Sequence, residues 1–520
     1  MTIITLLGFC VVSLHGLLVP KVIEAPSAPA AKLSFALPDD GKRCFDGRSS
    51  APIHCAGAQV VIPRGEAIFY AGKLLVFDTS GKHTATLSSA HFVEGSDPPA
   101  YLQLEEGELR AKAFADNSLL WSRPSEKKWL SKWAVGTKSR WLYEETDDPR
   151  SAHYMALGDS PMGVFVDAGS GEELGRRGYQ FEYEVLFDDR WYQGGGAIYK
   201  LTLENGLQYE EIEAEAIGDS WRARSDQYEE GYPYEPTGSA LLGDAALLVA
   251  YSGTGDVVAV DPAKDKLLWR WSPGKGRMAV SLLLTEEKVW VMTATEWVWL
   301  KGGPTEMRLY ALERSTGKGT EISFGQKVYG YWDEQGTEPW MQLSYAPRSR
   351  LVIAHLGDHI LRVVNADSLA FEWEYASWFW NFCVLDSAAE GDTLALAKAK
   401  EVELLHLEDF PKQLPVQKVS VSGTIQSDEV DKGIPVMVAG RMTHTDKKGH
   451  YRLELETRGD ELLLFAGGRD CSRKGKTLSK WSSAPTAEWL TVAPSDGEPV
   501  ELVQDAFLPS PEPCIKDYKD

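Results

Sequence analysis

The sequence is poor in the residues that announce chemistry. It holds no Cys-x-x-Cys and no Cys/His pair at zinc-ligand spacing, so nothing in it suggests a structural zinc site. There is no Gly-x-Ser-x-Gly to place a nucleophilic serine on a strand-to-helix turn, and no EF-hand spacing to hold calcium. Positive charge is in deficit: 54 Lys and Arg stand against 76 Asp and Glu, a formal net charge of −22. A chain of that sign is repelled by phosphate at long range, which argues against a nucleic-acid or anionic-membrane partner held by bulk electrostatics. The acidic surface also serves solubility. What is present is ordinary for a folded protein, with 43% apolar and 25% charged residues. At 520 residues the chain is too long for one common core, so several domains or a large repeat array is expected.

Residues 3–19 are apolar apart from small or weakly polar residues and His15, and Val22 to Ala31 is rich in Pro and Ala. This is the layout of a secretory hydrophobic region followed by small residues, such as Ala28-Pro29-Ala30, suited to cleavage. No Lys or Arg precedes Lys21, so the usual basic start is missing. An atypical signal peptide, an uncleaved anchor of marginal length, or a start codon assigned too late would each account for it. Leu7-Gly8-Phe9-Cys10 fails as a lipidation signal because Phe9 stands where a small residue is needed. Of six cysteines, Cys44 and Cys55 flank the start of the folded region, Cys471 and Cys514 lie near its end, and Cys383 sits in an aromatic-rich run. Two local disulfides, Cys44 with Cys55 and Cys471 with Cys514, are expected in an oxidising compartment; four unrelated buried thiols are the alternative. Export and cleavage fit best with the disulfides, giving an extracytoplasmic protein.

From about residue 56 to residue 412 one pattern recurs: an apolar strand ending in an acid or amide, a Gly-rich or polar turn, then another strand. It is clearest in residues 244–271, DAALLVAYSGTGDVVAVDPAKDKLLWRW, which reads as three short strands with Trp269 and Trp271 on one face of the last. The turn residues Asp78, Asp116, Asp167, Glu204, Asp261, Glu313, Asn365 and Glu408 follow one another at intervals of about 37 to 57 residues. Such a meander cannot bury its own apolar faces and needs copies of itself. The expected fold is therefore all-β: a β-propeller of seven or eight blades, the last repeat being the weakest. The 18 tryptophans suit blades that each stack an aromatic against the next.

The segment VVAVDPAKDKLLWRW, residues 257–271, resembles the repeat of pyrroloquinoline-quinone-type (PQQ-like) propellers, in which a strand ending in Ala-x-Asp meets a turn and then a strand ending in Trp. Val258-Ala259-Val260-Asp261 with Trp269 matches it directly, and Tyr310-Ala311-Leu312-Glu313 with Thr316-Gly317-Lys318 matches strand and turn. The resemblance covers about two thirds of the chain and speaks to fold more than to function. Its relatives include quinone-dependent alcohol and sugar dehydrogenases and also non-enzymatic scaffolds, among them an assembly lipoprotein of the bacterial outer membrane. The vicinal cysteines and the Cys-x-x-Cys-His haem attachment of the alcohol-oxidising branch are missing here. No quinone, calcium or other cofactor is expected.

Pro411 and Pro415 mark a boundary, and residues 416–514 resemble the carboxypeptidase-regulatory-like, transthyretin-type β-sandwich. Val421-Ser422-Gly423-Thr424 opens a strand, Gly433-Ile434-Pro435-Val436 enters a second, and Thr445-Asp446-Lys447-Lys448-Gly449-His450-Tyr451 is the family's turn, expected to close a hairpin. Such modules are generally non-catalytic. Residues 515–520 end in Asp517-Tyr518-Lys519-Asp520, the start of a common epitope tag. Residues 32–55 are expected as a separate segment before the propeller.

Few residues invite a ligand. His355 and His359 are four apart, but the segment reads as strand, turn, strand, so they lack the helical face that would make them metal ligands. Residues 121–141 interleave Trp121, Trp129, Trp133 and Trp141 with Lys127, Lys128, Lys132, Lys138 and Arg140. A basic aromatic loop built on Lys127, Lys128, Trp129, Lys132 and Trp133 would take a glycan or an acidic partner by stacking and charge; blade packing is the competing use of these tryptophans. Residues 209–236 form an acidic stretch, read as a solvated loop. These features point to a non-enzymatic binding or scaffold protein whose partner is a protein or polysaccharide of the cell envelope, with membrane contact only through the N-terminal segment if it is not cleaved. The alternative is an enzyme working in a central funnel, as a quinone-dependent dehydrogenase, lyase or hydrolase. No catalytic residue is assigned.

Overall fold

The computed structural model of the protein describes residues 32–36, 53–56, 58–64, 73–93, 95–125, 129–146, 162–178, 183–187, 190–195, 197–202, 208–211, 241–251, 255–274, 277–295, 303–332, 341–377, 379, 381–387, 391–398, 401–408, 416–427, 433–459, 461–470, 473–474, 477–478, 481–492 and 498–508. Every regular element among them is a β-strand.

Eight antiparallel sheets follow one another among the described residues, each a meander of four strands except that the sixth adds a fifth strand, Val328–Trp332, on Gly303–Glu313, and the eighth has three strands in sequence. In chain order they are sheet 1 (54–88), sheet 2 (90–124), sheet 3 (129–178), sheet 4 (183–211), sheet 5 (241–271), sheet 6 (277–321), sheet 7 (342–376) and sheet 8 (381–406). Sheet 8 takes its fourth strand from the other end of the chain, Lys32–Ala36, which pairs with Glu401–His406. This explains the weakness of the eighth repeat: among the described residues the next strand after Glu408, Gln417–Ser427, belongs to another sheet, so that unit has three strands in sequence. It also corrects the expectation for residues 32–55. They supply a strand to sheet 8, and His54–Ala56 is the first strand of sheet 1.

The middle strands read as unbroken apolar runs because they are covered on both faces. Leu351–His355 is buried at all five positions, and Val257–Val260 at all four. One core lies between each of several neighbouring sheets. Trp121 and Leu102 pack with Tyr143 and Val164 between sheets 2 and 3, Trp269 packs with Val291 and Leu312 between sheets 5 and 6, and Trp373 packs with Leu405 and Leu407 between sheets 7 and 8. A core also joins the last sheet to the first, with Leu385 and Leu404 against Val60, Leu75 and Phe77.

The recurring turn residue sits where the third strand gives way to the fourth. Asp167 Oδ1 accepts hydrogen bonds from the Gly169 amide at 3.1 Å and the Ser170 amide at 2.8 Å, and Asn365 Oδ1 accepts from Asp367 N at 3.1 Å and Ser368 N at 2.9 Å. Asp78, Asp116 and Asp261 hold their turns in the same way. The side chain thus satisfies amides that the turn leaves free of the ladder. The hydroxyl of Ser170, then the turn amides, hold the Asp167 carboxyl below the usual carboxylate range, and Ser118 does the same for Asp116.

Register explains the tryptophans. In sheets 1, 2, 3, 5 and 7 the fourth strand carries one extra residue against the third, as Ala259 faces Trp269 while Val260 faces Leu267. The residue after this bulge is Ala85, Trp121, Gly175, Trp269 or Trp373, so three of the five positions hold Trp. Trp121 Nε1 donates to the Ala168 carbonyl of the next sheet at 3.0 Å, and Trp269 Nε1 to the Arg314 carbonyl at 2.7 Å. Each ring lies on the glycine of that turn. A Cβ on Gly171 would stand 2.5 Å from the Trp121 ring, and one on Gly317 would stand 2.6 Å from the Trp269 ring. Both glycines also have positive φ, 70° and 68°. The Asp-to-Gly turn and the Trp are therefore two halves of one contact, made between successive repeats rather than within one.

Two further four-stranded sheets follow, together with a two-stranded ribbon that pairs Arg473–Lys474 with Thr477–Leu478. One is built on Gln417–Ser427, paired with His450–Thr457 and, in parallel, with Val500–Val503 and Ala506–Leu508; the other runs in the order Arg441–His444, Pro435–Val438, Glu461–Asp470, Trp481–Thr491. Val419, Val421 and Ile425 from the first share a core with Val436, Val438, Leu462 and Leu464 from the second. The Asp446 turn is present, with Asp446 Oδ1 accepting from Lys448 N at 2.7 Å and His450 N at 2.9 Å. It does not close a hairpin: the strands before and after it belong to different sheets, so the turn carries the chain from one layer to the other.

The cysteine pairing also differs from expectation. Cys55 is bonded to Cys383, with Cα atoms 5.7 Å apart, and so is not the partner of Cys44. Sequence proximity suggested the local pair, whereas the sheets bring together residues 328 positions apart. Cys44, Cys471 and Cys514 lie outside the described residues.

Gly317→Ala is expected to lower unfolding free energy by about 2–4 kcal/mol, from the left-handed backbone and the overlap with Trp269. Urea denaturation of Gly317→Ala in wild-type and Trp269→Ala backgrounds measures this, with most of the overlap component gone when the ring is removed.

Candidate functional site

First strands lie side by side at six of the junctions between meanders: sheets 2 and 3, 4 and 5, 5 and 6, 6 and 7, 7 and 8, and 8 and 1. Polar residues at the starts of these strands come from distant parts of the chain. Arg277 NH2 donates to the Glu306 carbonyl at 2.8 Å and the Thr293 carbonyl at 3.2 Å, within its own sheet. Gln342 Nε2 donates to the Phe382 carbonyl at 2.8 Å, stitching sheet 7 to sheet 8, and within sheet 8 Asn381 Oδ1 accepts from the adjacent Phe382 N at 2.7 Å. Among the described residues no group of three or more His, Cys, Asp or Glu is placed to hold a metal ion.

Of the basic aromatic residues picked out in the sequence, Trp129, Lys132 and Trp133 fall on the first strand of sheet 3, Trp129–Gly136, and Lys127 and Lys128 lie outside the described residues. The segment is thus in part a strand, not a loop. Its ladder breaks there: Leu130 faces Glu145 and Ala134 faces Tyr143, so Ser131, Lys132 and Trp133 stand against a single residue, Glu144, of the partner strand. A bulge of this kind re-aims residues relative to the pleat. The outer tryptophans of the same stretch have gone into packing, since Trp121 and Trp141 are buried with ring centroids 5.6 Å apart. Residues 212–240, most of the acidic stretch, lie outside the described residues.

His355 and His359 end one strand and precede the next, as the strand-turn-strand reading expects. His359 has φ 56°, and its amide donates to His355 Nε2 at 3.0 Å. Burial first, and then His355, pull the His359 pKa down to about 3.

Just beyond this turn is a site the motif reading missed. Arg362 is fully buried and forms a two-pronged pair with Asp358, NH1 to Oδ1 at 3.1 Å and NH2 to Oδ2 at 2.7 Å. Glu374 lies 3.6 Å from Arg362 Nε and accepts from Arg441 NH2 at 3.1 and 3.2 Å. Phe324 stacks beneath the Arg362 guanidinium, 5.7 Å from its carbon. Two cations and two carboxylates thus join sheet 7 to the strand Arg441–His444 of the C-terminal sheets. Gly440 makes the approach possible, because a Cβ there would stand 2.2 Å from Asp358 Oδ2. The Gly440 carbonyl also accepts from Tyr329 N at 2.9 Å, and Lys398 of sheet 8 bridges Glu403 at 2.7 Å and Glu461 at 3.6 Å. Ile360 and Ala376 of sheet 7 are part of the C-terminal core itself. The sequence held one signal: Arg362 interrupts the apolar run Ile360-Leu361-Arg362-Val363-Val364.

No family model and no curated protein sequence matches the chain. Among solved structures it is similar to BamB from Moraxella catarrhalis, at 12% identity over 72% of this chain and 98% of that one, with a TM-score of 0.41. It is similar to the computationally designed Ika8 protein at 12% identity over 68% and 95% of the two chains, TM-score 0.41. A third likeness is to the Cps50 (Swd1) beta-propeller domain of Myceliophteria thermophila, at 11% identity over 70% and 98%, TM-score 0.35. The chain is an all-β protein with a β-propeller among its structural neighbours, and its architecture is argued from its own sheet order and register.

Asp358→Ala leaves the buried Arg362 charge without its two-pronged partner, and the expected loss of stability is about 3–5 kcal/mol, read from urea unfolding. The double variant Asp358→Leu, Arg362→Leu should lose much less, because the pair is removed together and Glu374 keeps Arg441 as its partner, so no buried charge is left unpaired. The lowered His359 pKa has its own consequence. The unfolded chain takes up that proton near pH 6.5 while the folded chain resists it to about pH 3, so stability is full above pH 6.5 and declines as pH falls through that window. His359→Asn, which tolerates the left-handed backbone, should flatten the decline in unfolding midpoint between pH 6.5 and 4.

Proposed function

We propose that the eight meanders are the blades of a closed, PQQ-like β-propeller, that the C-terminal sheets form a carboxypeptidase-regulatory-like β-sandwich fixed to it, and that the protein acts outside the cytoplasm as a non-enzymatic binding protein. Closure is supported by the core between sheets 8 and 1 and by the N-terminal strand completing sheet 8. The PQQ-like assignment is supported by the turn aspartates and the Trp-to-glycine contacts between repeats. An oxidising location is supported by the Cys55–Cys383 bond.

The observation that carries the binding reading is the break in the ladder at Ser131, Lys132 and Trp133, on the first strand of sheet 3. A cation and an aromatic at an irregularity of an inner strand are suited to an anionic polysaccharide or an acidic protein surface of the cell envelope, by charge and stacking. Lys127 and Lys128 would extend the same basic segment. The polar starts of the inner strands are engaged in structural hydrogen bonds, which favours the use of a propeller face over chemistry in the funnel.

The test pairs native mass spectrometry, with metal and quinone analysis, and binding to isolated cell envelopes and to polygalacturonate. The expected result is a mass free of quinone and calcium and saturable binding to one of the two. Lys132→Ala, Trp133→Ala should weaken that binding about tenfold or more, a loss of about 1.4 kcal/mol per decade, with an unchanged thermal midpoint. A stoichiometric quinone or calcium would turn the reading to the funnel enzyme, and unchanged binding by the double variant would remove the bulge from the site.

A further inference from the structure

The disulfide stands at a special place among the sheets. Cys55 belongs to the first strand of sheet 1 and Cys383 to the first strand of sheet 8, and these are neighbouring strands of the first and last meanders. The other tie between the chain's beginning and sheet 8 is at the opposite edge of that sheet, where Lys32–Ala36 pairs with Glu401–His406. Sheet 8 is therefore held from both edges, by a covalent bond on its first strand and by a ladder on its third. Between them lies the apolar core of Val60, Leu75 and Phe77 with Leu385 and Leu404. Both cysteines are only partly buried and sit at the margin of that core.

We propose that Cys55–Cys383 is a thiol-exchangeable clasp on the inner side of the joint between sheets 8 and 1, and that its reduction loosens this joint while the outer strand keeps the chain assembled. The proposal rests on the closed-ring reading above. The co-reactant is a dithiol. Its thiolate attacks one sulfur, forms a mixed disulfide and expels the other cysteine as a thiolate, which takes up a proton. The second thiol of the dithiol then displaces the first cysteine. The dithiol loses two electrons and leaves as its own disulfide, and Cys55 and Cys383 end as thiols. Partial exposure permits the attack without prior unfolding, and the ladder from Lys32 to Ala36 preserves the ring when the bond is gone.

The full-length protein should be treated with dithiothreitol under native conditions, and the bond followed by peptide mapping after alkylation and the joint by hydrogen exchange. The Cys55–Cys383 linked peptide should disappear at a rate at least tenfold above that of global unfolding. Exchange should accelerate at least tenfold in residues 54–62 and 381–397, with sheets 2 to 7 unchanged. The Cys55→Ser, Cys383→Ser variant should exchange like the reduced protein and be insensitive to dithiothreitol. Reduction only at the rate of unfolding, or reduction with no change in exchange at the joint, overturns the clasp. Protection of residues 32–36 and 401–406 in the oxidised protein tests the ring separately: if they exchange freely there, it is the closed-ring reading that fails.

Discussion

A four-stranded meander has two apolar faces and can cover neither, and the organisation of this protein follows from that constraint. Each sheet is sealed by its neighbours. The seal has a specific part, in which a tryptophan placed by a bulge on one fourth strand lies on the glycine of the next sheet's turn and donates to a carbonyl of that turn. The turn acid keeps the receiving surface in shape by binding its amides. Where sheets 1 and 3 put Ala85 and Gly175 at the tryptophan position, apolar packing has to make the contact without that anchor.

The same constraint bears hardest on the two ends of the series, which lack a neighbour in sequence. The protein meets it by lending Lys32–Ala36 to sheet 8, by packing sheet 8 on sheet 1, and by the bond from Cys55 to Cys383. The C-terminal sheets are treated in a like manner. They share Ile360 and Ala376 with sheet 7 and are pinned by the grid of Asp358, Arg362, Glu374 and Arg441. Residues 31–520 accordingly form one compact unit rather than an array with a loose appendage. Residues on the C-terminal sheets and on the meanders therefore keep a set relation to one another.

Much of this was legible in the residues. The turn positions Asp78, Asp116, Asp167, Asp261 and Asn365 mark their meanders, because an acid or amide that caps its own turn acts over two or three residues and leaves a local trace; Glu204 lies outside the described residues. Trp269 and Gly317 were visible as repeat features, though not as partners, since they belong to different repeats. The candidate site was less legible. Lys132 and Trp133 stood out by composition, but the bulge that displaces them depends on the register against residues 143–145. Arg362 gave only the hint of a charge within an apolar strand, and its two carboxylate partners lie 4 and 12 positions away, with Arg441, which shares Glu374, a further 67 beyond.

The sequence by itself determined the strand content, the repeat and its turns, and the change of character after Pro415, because each depends on neighbours along the chain. Tertiary structure alone decided the pairing of Cys55 with Cys383, the loan of the N-terminal strand to sheet 8, the layer change at Asp446 and the docking of the C-terminal sheets. These join residues that local preference leaves independent, and they are selected only when whole faces are buried together and the charges within them must find partners.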